Sequence, residues 1–271
     1  MKHLYFLSIF SLFILVSCNS KSSKDSEKQQ NEVEKTKQTK KSHKIAPDHK
    51  RLYKTYADIN NLEKFNEESE FQYNIEVKFE KDNSKDFSGT IQSKTDFSDI
   101  KLKLDSGKSF FYKNGEFYGN PKNDLRINPF EIINMTSLPF AMQNLNYEAE
   151  KKIIVEDNDK KYNVLSLGYE DLKPSPIQIK SVTSSATTNL LQSAKLETKS
   201  STILENGVFE INFDRYITVN KIPIALNLNL FSNEKKIATI TVSRISYPKA
   251  GSIDFSIPNS YKVIQSQNQI N

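Results

Sequence analysis

The chain has 271 residues, 37% hydrophobic and 26% charged, with 38 Lys and Arg against 33 Asp and Glu, a net charge of +5, one Cys and three His. Nine Lys against five acidic residues between Asn19 and Lys50, together with Lys2, account for that whole excess, so residues 51–271 are neutral and offer no basic surplus to nucleic acid. Cys18 is the only thiol and His3, His43 and His49 the only imidazoles, which excludes disulfides, thiolate metal sites, His-based zinc chemistry and Ser-His or Cys-His catalysis from residues 50–271.

Lys2 and His3 precede an apolar run from Leu4 to Val16, 13 residues long. A membrane-spanning helix needs about 20, so residues 1–17 read as a removable export signal. Leu15-Val16-Ser17-Cys18 closes the run and resembles the lipobox of bacterial lipoproteins. That resemblance implies cleavage before Cys18, diacylation of its thiol and a lipid anchor in the bacterial cell envelope; the outer membrane is favoured over the inner, but Asn19 and Ser20 give no readable sorting code and both stay open. Residues 18–47 follow with Val33 and Ile45 as almost their only large apolar side chains. Such a segment buries too little surface to offset the entropy of ordering, so it is expected to be a disordered tether with a reach of about 30 Å. Its lysines suit either a solvated spacer or contact with anionic lipid headgroups.

Residues 48–271 are expected to form one β-rich domain. Leu52, Tyr56, Ile59, Leu62 and Phe65 recur at steps of three and four, the apolar face of one helix over Lys50–Phe65. Phe71, Tyr73, Ile75, Val77 and Phe79 then alternate with Gln72, Asn74, Glu76, Lys78 and Glu80 as a strand with two distinct faces. A polar turn at Asp82–Lys85 leads to a strand near Phe87–Thr95, and the next has Ile100, Leu102 and Leu104 on one face. Asn114-Gly115 between Ser109–Lys113 and Glu116–Gly119 is the pair a two-residue type I′ hairpin favours. The alternation stops at Asn128. Pro129 to Met142 is dense in apolar residues, Phe130, Ile132, Ile133, Leu138 and Phe140 among them, opens with a helix-starting proline and is broken again at Pro139. It is predicted to form two short helices, or a helix and a loop, across the sheet.

Strands are predicted to resume from Ile153, then at Ile177–Val182, Val208–Phe213, Ile217–Phe231, Lys236–Tyr247 and near Ile253–Val263, with turns at Asn206-Gly207 and Asn233. Ser184–Thr202 supports two readings, since Leu190, Leu191, Ala194 and Leu196 suit a short helix while its Ser and Thr content favours strand or loop. Asp157-Asn158-Asp159 lacks the Gly at position six and the Glu at twelve of a calcium loop and reads as a polar hairpin turn. Seven isolated glycines build no phosphate cradle, and no carboxylate pair stands out as glycosidase-like. No cofactor, no metal site and no enzymatic activity are expected.

This order of elements, with Leu138-Pro139-Phe140 in the insert, resembles the LolA/LolB-like lipoprotein-carrier superfamily in the form of Bacteroidetes-type lipoproteins, over about residues 50–271. The resemblance implies an α+β, mostly β fold: a strongly curved antiparallel sheet forming an unclosed barrel, with an N-terminal amphipathic helix and short covering helices over an apolar hollow able to hold acyl chains. It carries over no ligand-handling residue. The chain departs from soluble carriers in its own lipidation cysteine, its lack of Trp and its longer run of later strands.

Two classes of function follow. In the first, an envelope lipoprotein binds a lipid, acyl chain or lipoprotein, with Phe71, Tyr73, Ile75, Val77, Phe79, Ile100, Leu102 and Leu104 lining the concave face. Phe130, Ile132, Ile133, Leu138 and Phe140 then act as cover. Plain core packing is the alternative for each of these residues. In the second class, a structural or assembly lipoprotein presents its surface or a sheet edge to another protein. Oligomeric state is left open.

Overall fold

Alternation of apolar and polar side chains carries most of the chain into strands. The computed structural model describes residues 60–138, 140–141, 147–157, 160–169 and 177–264. The expected signal, Cys18, the tether and Leu52, Tyr56 and Ile59 of the amphipathic helix therefore lie outside the described residues, as do Pro139 and Met142. Within them, helix α1 spans Leu62–Glu67, followed by β1 (Glu70–Phe79), β2 (Phe87–Lys94), β3 (Asp99–Leu104), β4 (Ser109–Lys113) and β5 (Glu116–Gly119). Helix α2 (Pro129–Thr136) separates these from β6 (Tyr147–Asp157), β7 (Lys160–Tyr169), β8 (Ile177–Ser185), β9 (Leu191–Thr198), β10 (Gly207–Val219), β11 (Ile222–Ser232), β12 (Lys235–Ser246) and the two-residue β13 (Lys262–Val263). Among the described residues no helix is long and apolar enough to cross a membrane.

All strands join one antiparallel sheet in the order β13-β5-β4-β3-β2-β1-β12-β11-β10-β9-β8-β7-β6, which does not close. Two meanders thus run outward and back from a seam where β1 pairs with β12, Val77 opposite Ile240. The chain must pass from one sheet edge at β5 to the other at β6, and α2 lies on that crossing, against β3 and β4. Among the described residues the α-helices α1 and α2 are too short to cover one face of thirteen strands, and the sheet rolls on itself. Its apolar positions from β1–β5 and β7–β12 meet with α2 in a single buried cluster.

The hairpins explain the tight meander. Asn114 and Gly115 have φ of 52° and 84°, as their sequence implies, and Asn220-Lys221 and Asn233-Glu234 also have positive φ at both residues. The predicted strand Ile217–Phe231 is consequently two strands, β10 and β11, turning at Asn220-Lys221, where only Asn is a left-handed former. A helix running unbroken through residues 60 and 61 is also not observed: Asn61 is left-handed, with φ 61°, and α1 starts after it. Of the two readings for Ser184–Thr202, strand prevails at β9, because Leu191, Ala194 and Leu196 bury one face between β8 and β10. β6 and β7 pair up to Asp157 opposite Lys160; Asn158 and Asp159 of the expected turn lie outside the described residues.

The predicted last strand shrinks to Lys262–Val263. Residues before it form a strap over the outer face. Glu70, itself buried, accepts from the Gly251 and Ile253 amides at 2.8 and 3.0 Å. Lys101 Nζ donates to the Asp254 carbonyl at 3.0 Å, and Tyr261 meets Phe111 edge-on at 5.5 Å. The Asp254 carboxylate accepts from the Ser256 amide, a local turn that competes with strand pairing.

Candidate functional site

The face singled out in β1 and β3 is buried as its alternation implies. Phe71, Tyr73, Ile75, Val77, Ile100, Leu102 and Leu104 all belong to the central cluster, and Phe79 is half-buried at its margin. The cover is seated by contacts to β4, to α1 and to this face in turn. Phe130 stacks on Tyr112 at 4.4 Å, Phe140 stacks on Phe65 at 4.3 Å, and the Tyr73 hydroxyl bonds to Thr136 Oγ1, whose own proton goes to the Ile132 carbonyl. Burial pushes the Tyr73 phenol up to about 12, so it remains a neutral hydrogen-bonding group. Ile132, Ile133, Leu138 and Phe140 are buried beneath or beside α2. Between this cover and the sheet, among Phe65, Phe71, Tyr73, Leu138, Phe140 and Ile224, only about 20 Å³ of free volume remains. That hollow has room for about one water, so the protein's own side chains pack the part of the face around Phe71 and Tyr73.

A larger opening lies at the Phe79 end of the face. A cleft of about 690 Å³ has apolar walls from Phe79, Phe87, Ile127, Ile203, Leu204 and Ile264, with Lys85, Arg126, Asp124 and Glu205 at its polar margins. Of the residues expected to line a ligand site only Phe79 reaches this cleft. The others missed by sequence reasoning come from separate places: the start of β2, the approach to α2, the loop between β9 and β10, and the residue after β13. Ile203-Leu204, an apolar pair in a Ser-rich loop, was the one local signal available.

Helix α2 brings polar groups into this apolar setting. Asn128 caps it, its side chain accepting from the Phe130 amide at 3.0 Å, and Pro129 takes the first position, so the helix starts where the sequence places it. Glu131 in the first turn is fully buried. Its carboxylate accepts from Ser201 Oγ at 2.5 Å, the Thr202 amide at 2.9 Å and Thr202 Oγ1 at 3.1 Å. Burial pushes Glu131 up to about 7 against the opposing pull of these donors. Asn134 is 1% exposed and, among the described residues, neither polar atom of its side-chain amide has a hydrogen-bond partner, a condition that costs about 1–3 kcal/mol. A helix buried on all sides is expected to be apolar all round, and α2 is not.

On the outer face, beneath the strap, Asp99 pairs with Lys94 Nζ at 2.5 Å and Lys113 Nζ at 3.6 Å beside a hollow of about 450 Å³. With Glu70 beside them, two carboxylates and two ammonium groups line this hollow, so its charges balance within the protein. Among the described residues no three His, Cys, Asp or Glu side chains are grouped to hold a metal ion.

No protein-family model matches this sequence, and no curated protein matches it. Solved structures do match. A LolA superfamily protein from Nitrosomonas europaea superposes with a TM-score of 0.52 at 13% identity, over 74% of this chain and 97% of its own. A DUF1329 family protein from Desulfovibrio piger does so at 0.47 and 11% identity, over 74% and 95%. The fold is therefore LolA-like, as the order of elements implies.

Proposed function

We propose that this LolA-like fold is the binding domain of a cell-envelope lipoprotein that takes up an apolar ligand of the lipid, acyl-chain or lipoprotein class. Residues 1–17 are the export signal, residues 18–47 a lipidated Cys18 and tether, and residues 48–271 the domain, held at the outer membrane by its N-terminal lipid. The role is one of binding, without catalysis.

The observation that carries this reading is the cleft of about 690 Å³ at the Phe79 end of the sheet's buried face, where Phe79, Phe87, Ile127, Ile203, Leu204 and Ile264 form an apolar stretch of a wall that is otherwise polar. Its volume lies within the range of small-molecule sites. Each CH₂ transferred into it from water contributes about 0.8 kcal/mol. The inner end of a long chain would reach the surface of Phe71, Tyr73, Ile75, Val77, Ile100, Leu102 and Leu104 by displacing the cover of Phe130, Ile132, Ile133, Leu138 and Phe140. The polar groups of α2 support a cover that exchanges its partners, since Asn134 gains nothing from the closed arrangement. A second reading, a structural or assembly lipoprotein acting through protein contacts, is favoured by the filled interior next to Phe71 and Tyr73.

Substitution in the cleft wall separates the two. Ile203→Asp places a charge on that wall, at a half-buried loop position outside the strands. The expected result is at least tenfold weaker binding of a fluorescent long-chain fatty acid, equivalent to about 1.4 kcal/mol, with the melting temperature nearly unchanged. Equal binding by both proteins, or no binding by either, favours the structural reading.

A further inference from the structure

The loop that walls the cleft is tied to α2 through one buried carboxylate, that of Glu131, while Thr198 Oγ1 holds its far end by donating to the Glu205 carbonyl at 2.5 Å. Ile203 and Leu204 form part of that wall, and their amides are held by Ser201 Oγ at 3.1 and 2.9 Å. Ser201 Oγ in turn donates to Glu131 at 2.5 Å, and both polar groups of Thr202 donate to the same carboxylate. The Asn128 amide donates to Thr202 Oγ1 at 2.9 Å, so the start of α2 and the loop are tied at two adjacent points. On the α2 side, Glu131 thus receives the bonds of both Ser201 and Thr202, the two residues that precede the apolar wall.

We propose that Glu131 is the latch of the cleft: it clamps the Ser200–Glu205 loop to the cover helix, and the loop must leave it before an apolar chain can pass from the cleft to the concave face. This rests on the apolar-ligand reading above and adds to it the residue that gates entry.

The carboxylate meets neutral donors. The titratable groups on the elements around it are Asp124 and Arg126 ahead of α2, Asp99, Lys101 and Lys103 on β3, Tyr112 and Lys113 on β4, and Lys199 and Glu205 beside the loop. Among the described residues none forms an ion pair with Glu131: Asp99 pairs with Lys94 and Lys113, and Lys199 with Glu197. With no cation to retain its charge, Glu131 is pushed up to about 7 by burial. An acid raised in the closed state contributes stability that is complete below its ordinary value near 4.5 and is lost as pH rises through about 7. Ionisation therefore loosens the latch, because water solvates the charge better than three neutral donors in an apolar interior do.

The test compares the full chain with Glu131→Gln, which keeps the side chain's shape and fixes it neutral. Amide hydrogen exchange over Thr202–Leu204, corrected for the intrinsic effect of pH, reports the latch without any ligand. Uptake of a fluorescent long-chain fatty acid reports the gate. Between pH 6 and pH 8 the wild-type loop should open about tenfold more, following the ionised fraction of a group titrating near 7, and uptake should accelerate in parallel. Glu131→Gln should hold both slower than the wild type at pH 6 and independent of pH. A Gln variant that retains the wild-type pH profile would overturn the latch, as would loop amides exchanging at the rate of free peptide at both pH values. Fatty-acid uptake indifferent to Glu131 overturns the latch and leaves the binding function standing. Loop opening that follows Glu131 while the fatty acid never binds overturns the binding function, and the gate with it.

Discussion

Val77→Glu is expected to abolish the cooperative melting transition of the domain. Val77 is 2% exposed, faces the central cluster and sits on β1 between Ile240 of β12 and Phe87 of β2. That strand is the seam between the two meanders, so a failure there separates the halves of the sheet. The new side chain must either ionise in an apolar interior without a partner or be protonated at a cost that grows with pH. It also loses the burial of the valine. Losses of this kind exceed about 4 kcal/mol, against a total stability of about 5–15 kcal/mol for a domain. Circular dichroism during a thermal ramp measures the outcome. A melt within a few degrees of wild type would mean that this face is open to water, contrary to the packing beside it.

Phe65→Ala is expected to leave a folded but weakened protein, less stable by about 3–5 kcal/mol in denaturant titration. Phe65 is buried where α1, β1 and the cover meet, with ring centroids 4.3 Å from Phe140, 5.3 Å from Phe71 and 5.9 Å from Phe97. Truncation removes these contacts together and enlarges the space of about 20 Å³ between them. It also frees the Phe140 end of the cover. A loss below about 1 kcal/mol would show that α1 and the cover contribute little to the closed state.

The parts of the fold legible in the sequence are those set by local rules. The period-two pattern of β1 fixes which side chains turn inward, Asn114-Gly115 fixes a hairpin, and Asn128-Pro129 fixes the start of α2. What was hidden depends on contacts between distant residues. The Ser-rich stretch around β9 becomes a strand because β8 and β10 flank it, and residues 249–261 form a strap because Glu70 supplies the acceptor for their amides. The candidate site divides in the same way. Alternation marks Phe71 to Val77 as an inward face, yet nothing local distinguishes a filled interior from an open one. Glu131 reads as an ordinary first-turn acid favoured by the helix dipole, and its role is defined only by Ser201 and Thr202 some 70 residues later.

Binding of an apolar ligand is the central claim, and native mass spectrometry of the full chain tests it most directly. The protein would be released gently from envelope membranes and the spectrum compared with that of the same sample after organic extraction. The expected result is an added mass in the lipid range beyond the proposed anchor on Cys18, lost on extraction and reduced in Ile203→Asp. A single species carrying only the anchor, unchanged by extraction and the same in the variant, would contradict the account.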